Sequence, residues 1–204
     1  MLNKFVASTL LVAGLVSTAT ASTPIYSTDT VWKVKDQQAF TALMNCDTTA
    51  SACIAKKMKQ LGASSSVLKF SAAIKHEGYL VKFQEQGKVD LGTVIYPFRA
   101  NTNSAYMLLN GQPSIVDTEI AKITGLEKDT SFKELNKKYK NLEFWGTNAQ
   151  FVKINKTNAG TNYVFNYLLK DGCRACAAPA SAQVEFRFNG QGKFLGTQFI
   201  KIVK

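Results

Sequence analysis

Two cysteine pairs carry the most specific chemistry in this chain, Cys46-x6-Cys53 and Cys173-Arg174-Ala175-Cys176. A C-x-x-C pair supports thiol–disulfide exchange when its first cysteine opens a helix, where the macrodipole favours the thiolate. Here Lys170-Asp171-Gly172 reads as the end of a strand, and Ala177-Ala178-Pro179-Ala180-Ser181 leads into another. No amphipathic helix follows, and no βαβ pattern surrounds the motif as a thioredoxin-like arrangement requires. Arg174, between the sulfurs, is the one feature that favours a thiolate. Redox use of Cys173 and Cys176 is therefore the alternative reading, and two structural disulfides the leading one. Four cysteines allow three connectivities. Proximity in sequence selects Cys46–Cys53, tying one helix to the next, and Cys173–Cys176, locking a hairpin tip. A zinc site needs four ligands, and with His76 as the sole histidine the spacing is poor. Neither a metal nor a cofactor is expected.

Other catalytic patterns are missing. The chain has no G-x-S-x-G elbow, no H-E-x-x-H pair and no Gly-rich phosphate loop. His76 sits beside Glu77 near a helix end, and Asp117 and Glu119 alternate, although a paired-carboxylate mechanism needs a cleft that a sequence does not show. The chain is expected not to be an enzyme. Binding chemistry is better represented. The connection Tyr96-Pro97-Phe98-Arg99-Ala100-Asn101-Thr102-Asn103 combines aromatics, an arginine and asparagines, the composition that contact hot spots favour. Arg99, Asn101, Asn103 and the loop-tip Arg174 are the expected partner contacts. Phe144-Trp145-Gly146-Thr147-Asn148 reads either as a sugar-stacking platform or as a bulged core strand.

The compartment follows from the N-terminus. Met1 to Lys4 form a short n-region, Phe5 to Val16 is almost wholly apolar and uncharged, and Ala19-Thr20-Ala21 suits signal peptidase. Residues 1–21 are therefore expected to be an export signal cleaved after Ala21. The mature chain is expected in the periplasm or secreted, where disulfides persist. No later apolar run reaches the length of a membrane span.

The full chain carries a formal charge of +11, and Lys4 is the only charged residue in the expected signal, so the mature chain carries +10. Lysines at 56, 57, 59 and at 137, 138, 140 form clusters. A field of this sign attracts anionic surfaces. Nucleic acid is disfavoured as the partner, because specific readers rely on arginine forks and the mature chain has only Arg99, Arg174 and Arg187. An anionic envelope component or a protein partner is expected instead, bound without catalysis.

The elements that position these residues fall into two blocks. Apolar residues at helical spacing predict three short helices within 36–76. Ala39, Phe40, Leu43 and Met44 form the first stripe behind Asp36 as cap, and Ile54, Met58 and Leu61 the second behind Ser51. Val67, Phe70 and Ile74 form the third, behind a serine cap at 64–66. Asp47-Thr48-Thr49 breaks the first helix, Gly62 ends the second, and Gly78 stops the third. From Gly78 the period changes to two. Strands are predicted at 79–83, 89–98, 106–109, 142–154 (broken at Gly146), 163–169, 183–188 and 194–203, with a short helix at 132–139 behind Ser131. Residues 113–126 are ambiguous, and a weak subdivision near 111–131 is conceivable on pattern alone. Short turns between successive strands imply antiparallel pairing. The expectation is one α+β domain over 22–204, its N-terminal helices packed on a mainly antiparallel meander of about seven strands.

Overall fold

The structure is a computed structural model in which residues 24–46 and 51–204 are described. The expected export signal and the break at Asp47-Thr48-Thr49 lie outside the described residues.

The fold is α+β with the helices first. The helices α1 (Asp36–Leu43), α2 (Ser51–Gln60) and α3 (Ser65–Ala73) pack on one another. Gly62 ends α2 with φ +80°; its N–H meets the Lys59 carbonyl at 3.0 Å, and the Ala63 N–H reaches the Met58 carbonyl at 3.0 Å. Those two bonds satisfy carbonyls that a helix end otherwise leaves open. The Ser64 side chain caps α3 by accepting the Val67 N–H at 3.2 Å. That helix stops at Ala73 rather than near Gly78, and Lys75 and His76 follow with left-handed backbone.

Helix α1 departs from its sequence pattern in two respects. Its N-cap is Lys35, without a side-chain capping bond. Of the expected core stripe, Ala39 and Leu43 are buried, whereas Phe40 is 44% and Met44 51% exposed. A helix packed on one side buries the i, i+4 row that faces its neighbours, and Phe40 and Met44 sit one position further round.

Strands β1 (Tyr79–Gln84), β2 (Asp90–Ile95), β3 (Ser104–Leu109) and β4 (Ile115–Asp117) form an antiparallel meander. Helix α4 (Thr130–Lys138) follows. Asp129, not Ser131, caps it, accepting the Phe132 N–H at 2.9 Å. The second sheet holds β5 (Leu142–Phe144), β6 (Gln150–Thr157), β7 (Gly160–Asp171), β8 (Ala180–Asn189) and β9 (Phe194–Val203). β5 pairs with the last residues of β7 and β6 with the first. Together they fill a single edge position, interrupted around Gly146. Two sheets therefore replace the one sheet of about seven strands. The ambiguous 113–126 stretch supplies β4, and the predicted strand at 142–154 divides in two. Each sheet is preceded by a helix and arranged as a meander, a recurrence of layout that the sequence does not show as a repeat.

The sheets lie face to face. Leu91 and Leu108 from the first sheet share a core with Tyr163, Phe165, Tyr167, Val184 and Phe186 from the second. Val94, Met107 and Leu109 project from the other face of the first sheet onto Phe70 of α3 and Tyr26. Helices, first sheet and second sheet thus form three layers. Each fully buried large apolar side chain contributes about 1.5–3 kcal/mol relative to exposure. The clean alternation of β8 is the sequence counterpart: Ala182, Val184, Phe186 and Phe188 are buried, and the residues between them are half-buried. At one end, Gln112 bridges the layers, its N–H on the Gly192 carbonyl and its carbonyl on the Phe194 N–H, both at 2.9 Å. No described helix is long and apolar enough to cross a membrane.

Candidate functional site

Strands β2 and β7 run in the same direction across the interface. The Tyr163 hydroxyl contacts the Val89 carbonyl at the start of β2, and further along β7 the Tyr167 hydroxyl contacts Thr118. The Thr118 side chain in turn bonds the carbonyl of Tyr106, which lies opposite Thr93. Both strands accordingly deliver their following loops to one end of the sandwich. That end gathers the Arg99–Asn103 connection, the Trp145–Gly146 segment and the Cys173–Cys176 loop.

The three are joined by an unbroken set of contacts. Arg99 holds Glu119. The next residue, Ile120, donates its N–H to the Gly146 carbonyl at 3.0 Å. A Cβ on Gly146 would stand 1.5 Å from the Ile120 oxygen, so this approach requires glycine. Beside Gly146, the Trp145 ring lies under the Lys170 ammonium, 5.3 Å from its centroid. Lys170 also donates to the Arg174 carbonyl within the disulfide loop.

Arg99 is internally committed. One guanidinium nitrogen donates to both carboxylate oxygens of Glu119 at 2.9 and 2.8 Å, and another lies 3.8 Å from Glu77. The guanidinium carbon sits 3.6 Å from the centroid of the Tyr96 ring. The side chains of Arg99 and Glu119 are 31% and 15% exposed. Asp117 accepts the Glu119 N–H at 2.8 Å. Burial, followed by the nearby Glu119 charge, holds the Asp117 carboxyl above the usual carboxylate range. Burial and then Asp117 push the Tyr96 phenol up as well. Arg99 therefore fixes the loop and neutralises part of a carboxylate cluster rather than standing open as a contact. Asn101 and Asn103 are exposed. The Asn103 carbonyl accepts the Tyr96 N–H at 2.7 Å, and Thr102 between the asparagines has φ 53°.

Both cysteine pairs are disulfides in the expected connectivity, with Cα atoms 5.8 Å apart for Cys46–Cys53 and 5.0 Å for Cys173–Cys176. Cys46 is buried against Leu43 and Ile54 in the helical core. Cys173 is exposed in a turn closed by the Cys176 N–H on its own carbonyl at 3.2 Å, with Arg174 exposed at the tip. No helix starts there. The dipole that would lower a thiol pKa is missing, and what remains for redox use is accessibility and the Arg174 charge. Among the described residues no group of three or more His, Cys, Asp and Glu is placed to hold a metal ion.

Sequence reasoning missed Glu119 as the partner of Arg99 and Lys170 as the partner of Trp145. No local spacing links Arg99 to Glu119, which is twenty residues on. Lys170 could have been found, because β5 and β7 are both legible and their pairing sets Glu143 opposite Lys170. Comparison of the chain with protein-family models, curated proteins and solved structures finds no match.

Proposed function

We propose that this protein is an exported, non-enzymatic binding protein for an anionic partner. One observation carries the reading: many carboxylates are engaged by partners within the fold, while no lysine among the described residues forms an ion pair. Asp90 accepts the Gln86 N–H and the Asn110 amide, Asp129 caps α4, and Asp171 accepts the Asn141 N–H. Glu185 accepts from Asn162, and Glu77 and Glu119 face Arg99. Both ion pairs among the described residues use Arg99; none uses a lysine. The lysine charge is consequently displayed to solvent, where it draws anionic surfaces into contact and speeds their encounter. The paired disulfides support an oxidising compartment.

The test is retention of the purified protein on anionic vesicles and on soluble polyanions, compared at low and high salt. Retention at low salt that falls steeply as salt rises is expected. Absence of retention on every anionic probe at low salt overturns the proposal, as does turnover of a substrate. The exposure of Cys173 favours a second reading, thiol–disulfide exchange, which the reduction potential decides. A structural disulfide lies below about −300 mV and a working couple at roughly −120 to −270 mV.

A further inference from the structure

The outer face of the second sheet, turned away from the first, is mainly polar, with Val164 fully buried at its centre between Lys153 and Glu185. Directly opposed residues share a face, so the pairing places Gln150, Asn166, Gln183 and Lys201 in one row across the sheet. Asn155, Asn162 and Arg187 form another, with Lys153 and Glu185 between the rows. Toward the loop end, Lys170 opposes Glu143 on this face and lies over the Trp145 ring, while Phe144, between Glu143 and Trp145, turns inward onto Tyr167. Gln183 donates to Asn166 at 3.0 Å and Asn162 to Glu185 at 2.8 Å, which orders the carboxamides and leaves each with unused hydrogen-bonding capacity.

The charge of the face is one-sided, since Lys153, Lys170, Arg187 and Lys201 outnumber Glu143 and Glu185.

We infer that this face is a binding site for an acidic polysaccharide. A carboxamide both donates and accepts, which matches sugar hydroxyls, whereas a phosphate surface only accepts. The cations match carboxylate or sulfate groups. Strands about 4.8 Å apart space the residues within each row at a regular interval along which an extended chain can lie. The inference rests on the anionic-partner reading and names its ligand class and its site.

The experiment is calorimetric titration of the whole mature protein with a size-defined oligogalacturonate. Neutral dextran of similar length and anionic phospholipid vesicles serve as comparison probes. Lys153→Ala/Lys201→Ala removes charge from the face, and Lys56→Ala/Lys59→Ala removes the same charge from exposed positions on α2, on the helical side. Gln183→Ala removes a carboxamide without changing charge. We expect oligogalacturonate to bind and dextran not to. The face double variant should lose about tenfold or more in affinity and Gln183→Ala several-fold, while the α2 variant stays within about twofold. Equal losses in the two charge-matched variants overturn the inference and leave a diffuse anionic-partner reading standing. Binding to vesicles but not to oligogalacturonate does the same. Failure to bind either overturns both.

Discussion

Tyr163 donates its hydroxyl to the Val89 carbonyl at 2.5 Å, joining the centre of the second sheet to the start of β2 across 74 residues of chain. Tyr167 repeats the arrangement on the Thr118 carbonyl at 2.5 Å. Both rings are fully buried. These hydroxyls give an otherwise apolar interface two directional contacts, and the carbonyls they meet lie where the backbone leaves or approaches a strand. Tyr163→Phe and Tyr167→Phe each keep the ring but leave a carbonyl unsatisfied between the sheets. Each should cost about 1–3 kcal/mol by urea denaturation, with an unchanged m-value. A cost below a few tenths of a kcal/mol in both would show that the sheets are held by apolar packing alone.

The same tyrosines set the response to alkali. Burial pushes both phenols above their ordinary value, further raised by Asp90 near Tyr163 and by Asp117 near Tyr167. Tyr96 is raised in the same way. In the unfolded chain each phenol ionises near pH 10. Above that pH the unfolded state loses protons that the folded state still holds, so stability is complete below about pH 10 and declines as pH rises further. Denaturant midpoints measured from pH 8 to 11.5 should therefore fall only above about pH 10. Phenolate absorbance should appear together with unfolding for these tyrosines. Titration of every tyrosine near pH 10 in a folded protein would contradict the burial.

Arg99 and Glu119 form the second pair whose loss should be felt. Two short charge-assisted contacts to Glu119 and partial burial lift this ion pair above an ordinary surface bridge. Its removal also leaves Glu119 beside Asp117 and Glu77 without the cation that offsets them. Arg99→Ala should cost about 1–3 kcal/mol, and Arg99→Lys should recover only part, because an ammonium cannot face Glu119 and Glu77 with separate nitrogens while stacking on Tyr96. A double-mutant cycle with Glu119→Ala isolates the pair. A coupling near zero would return Arg99 to the role of an open contact residue.

The legible and illegible parts of the sequence divide along the range of the interaction that decides them. Gly62 and Ser64 were readable because capping is settled within a turn of the helix. The alternation of β8 was readable because burial on one face repeats at the strand period. Phe40 and Met44 misled because an apolar stripe shows that a helix has a buried side, not how much of that stripe its neighbours cover. The break at Gly146 was visible, but its cause was not: the chain near Ile120 crosses there, and only glycine admits it. The division into two sheets depends on contacts such as Tyr163 to Val89, which no local pattern encodes. At the candidate site, Arg99, Trp145 and Arg174 stand out in the sequence by residue type, yet the partners Glu119 and Lys170 come from other segments. The polar outer face was present in the alternation of Gln183, Glu185 and Arg187, but its extent required the register of β6 and β9.

The disulfides separate stability from shape. Each closes a short loop, with sequence separations of 7 and 3, and a chain of this size buries a core without cross-links. Replacing Cys46 and Cys53 together by Ser should leave a folded protein, weaker by about 1–3 kcal/mol on the loop-closure argument. The Ser pair also puts a hydroxyl at the buried Cys46 position, which places this variant at the upper end of that range. The Cys173/Cys176 change lies in an exposed turn with little packing to lose, so its cost should sit at the lower end. Its larger effect should be on the loop tip. With the bond gone, the turn is held by backbone hydrogen bonds, the Asp171 N–H on the Ala177 carbonyl and the residue-176 N–H on the residue-173 carbonyl, and by the Lys170 contact to Arg174. Retention on anionic probes should therefore fall more in the Cys173/Cys176 variant than in the Cys46/Cys53 variant, even though its stability falls less. Urea denaturation and salt-dependent retention, measured on both, decide the matter. If the Cys173/Cys176 variant is retained as well as the parent protein, the rigid tip takes no part in binding and the bond is only a clasp on the β7–β8 hairpin.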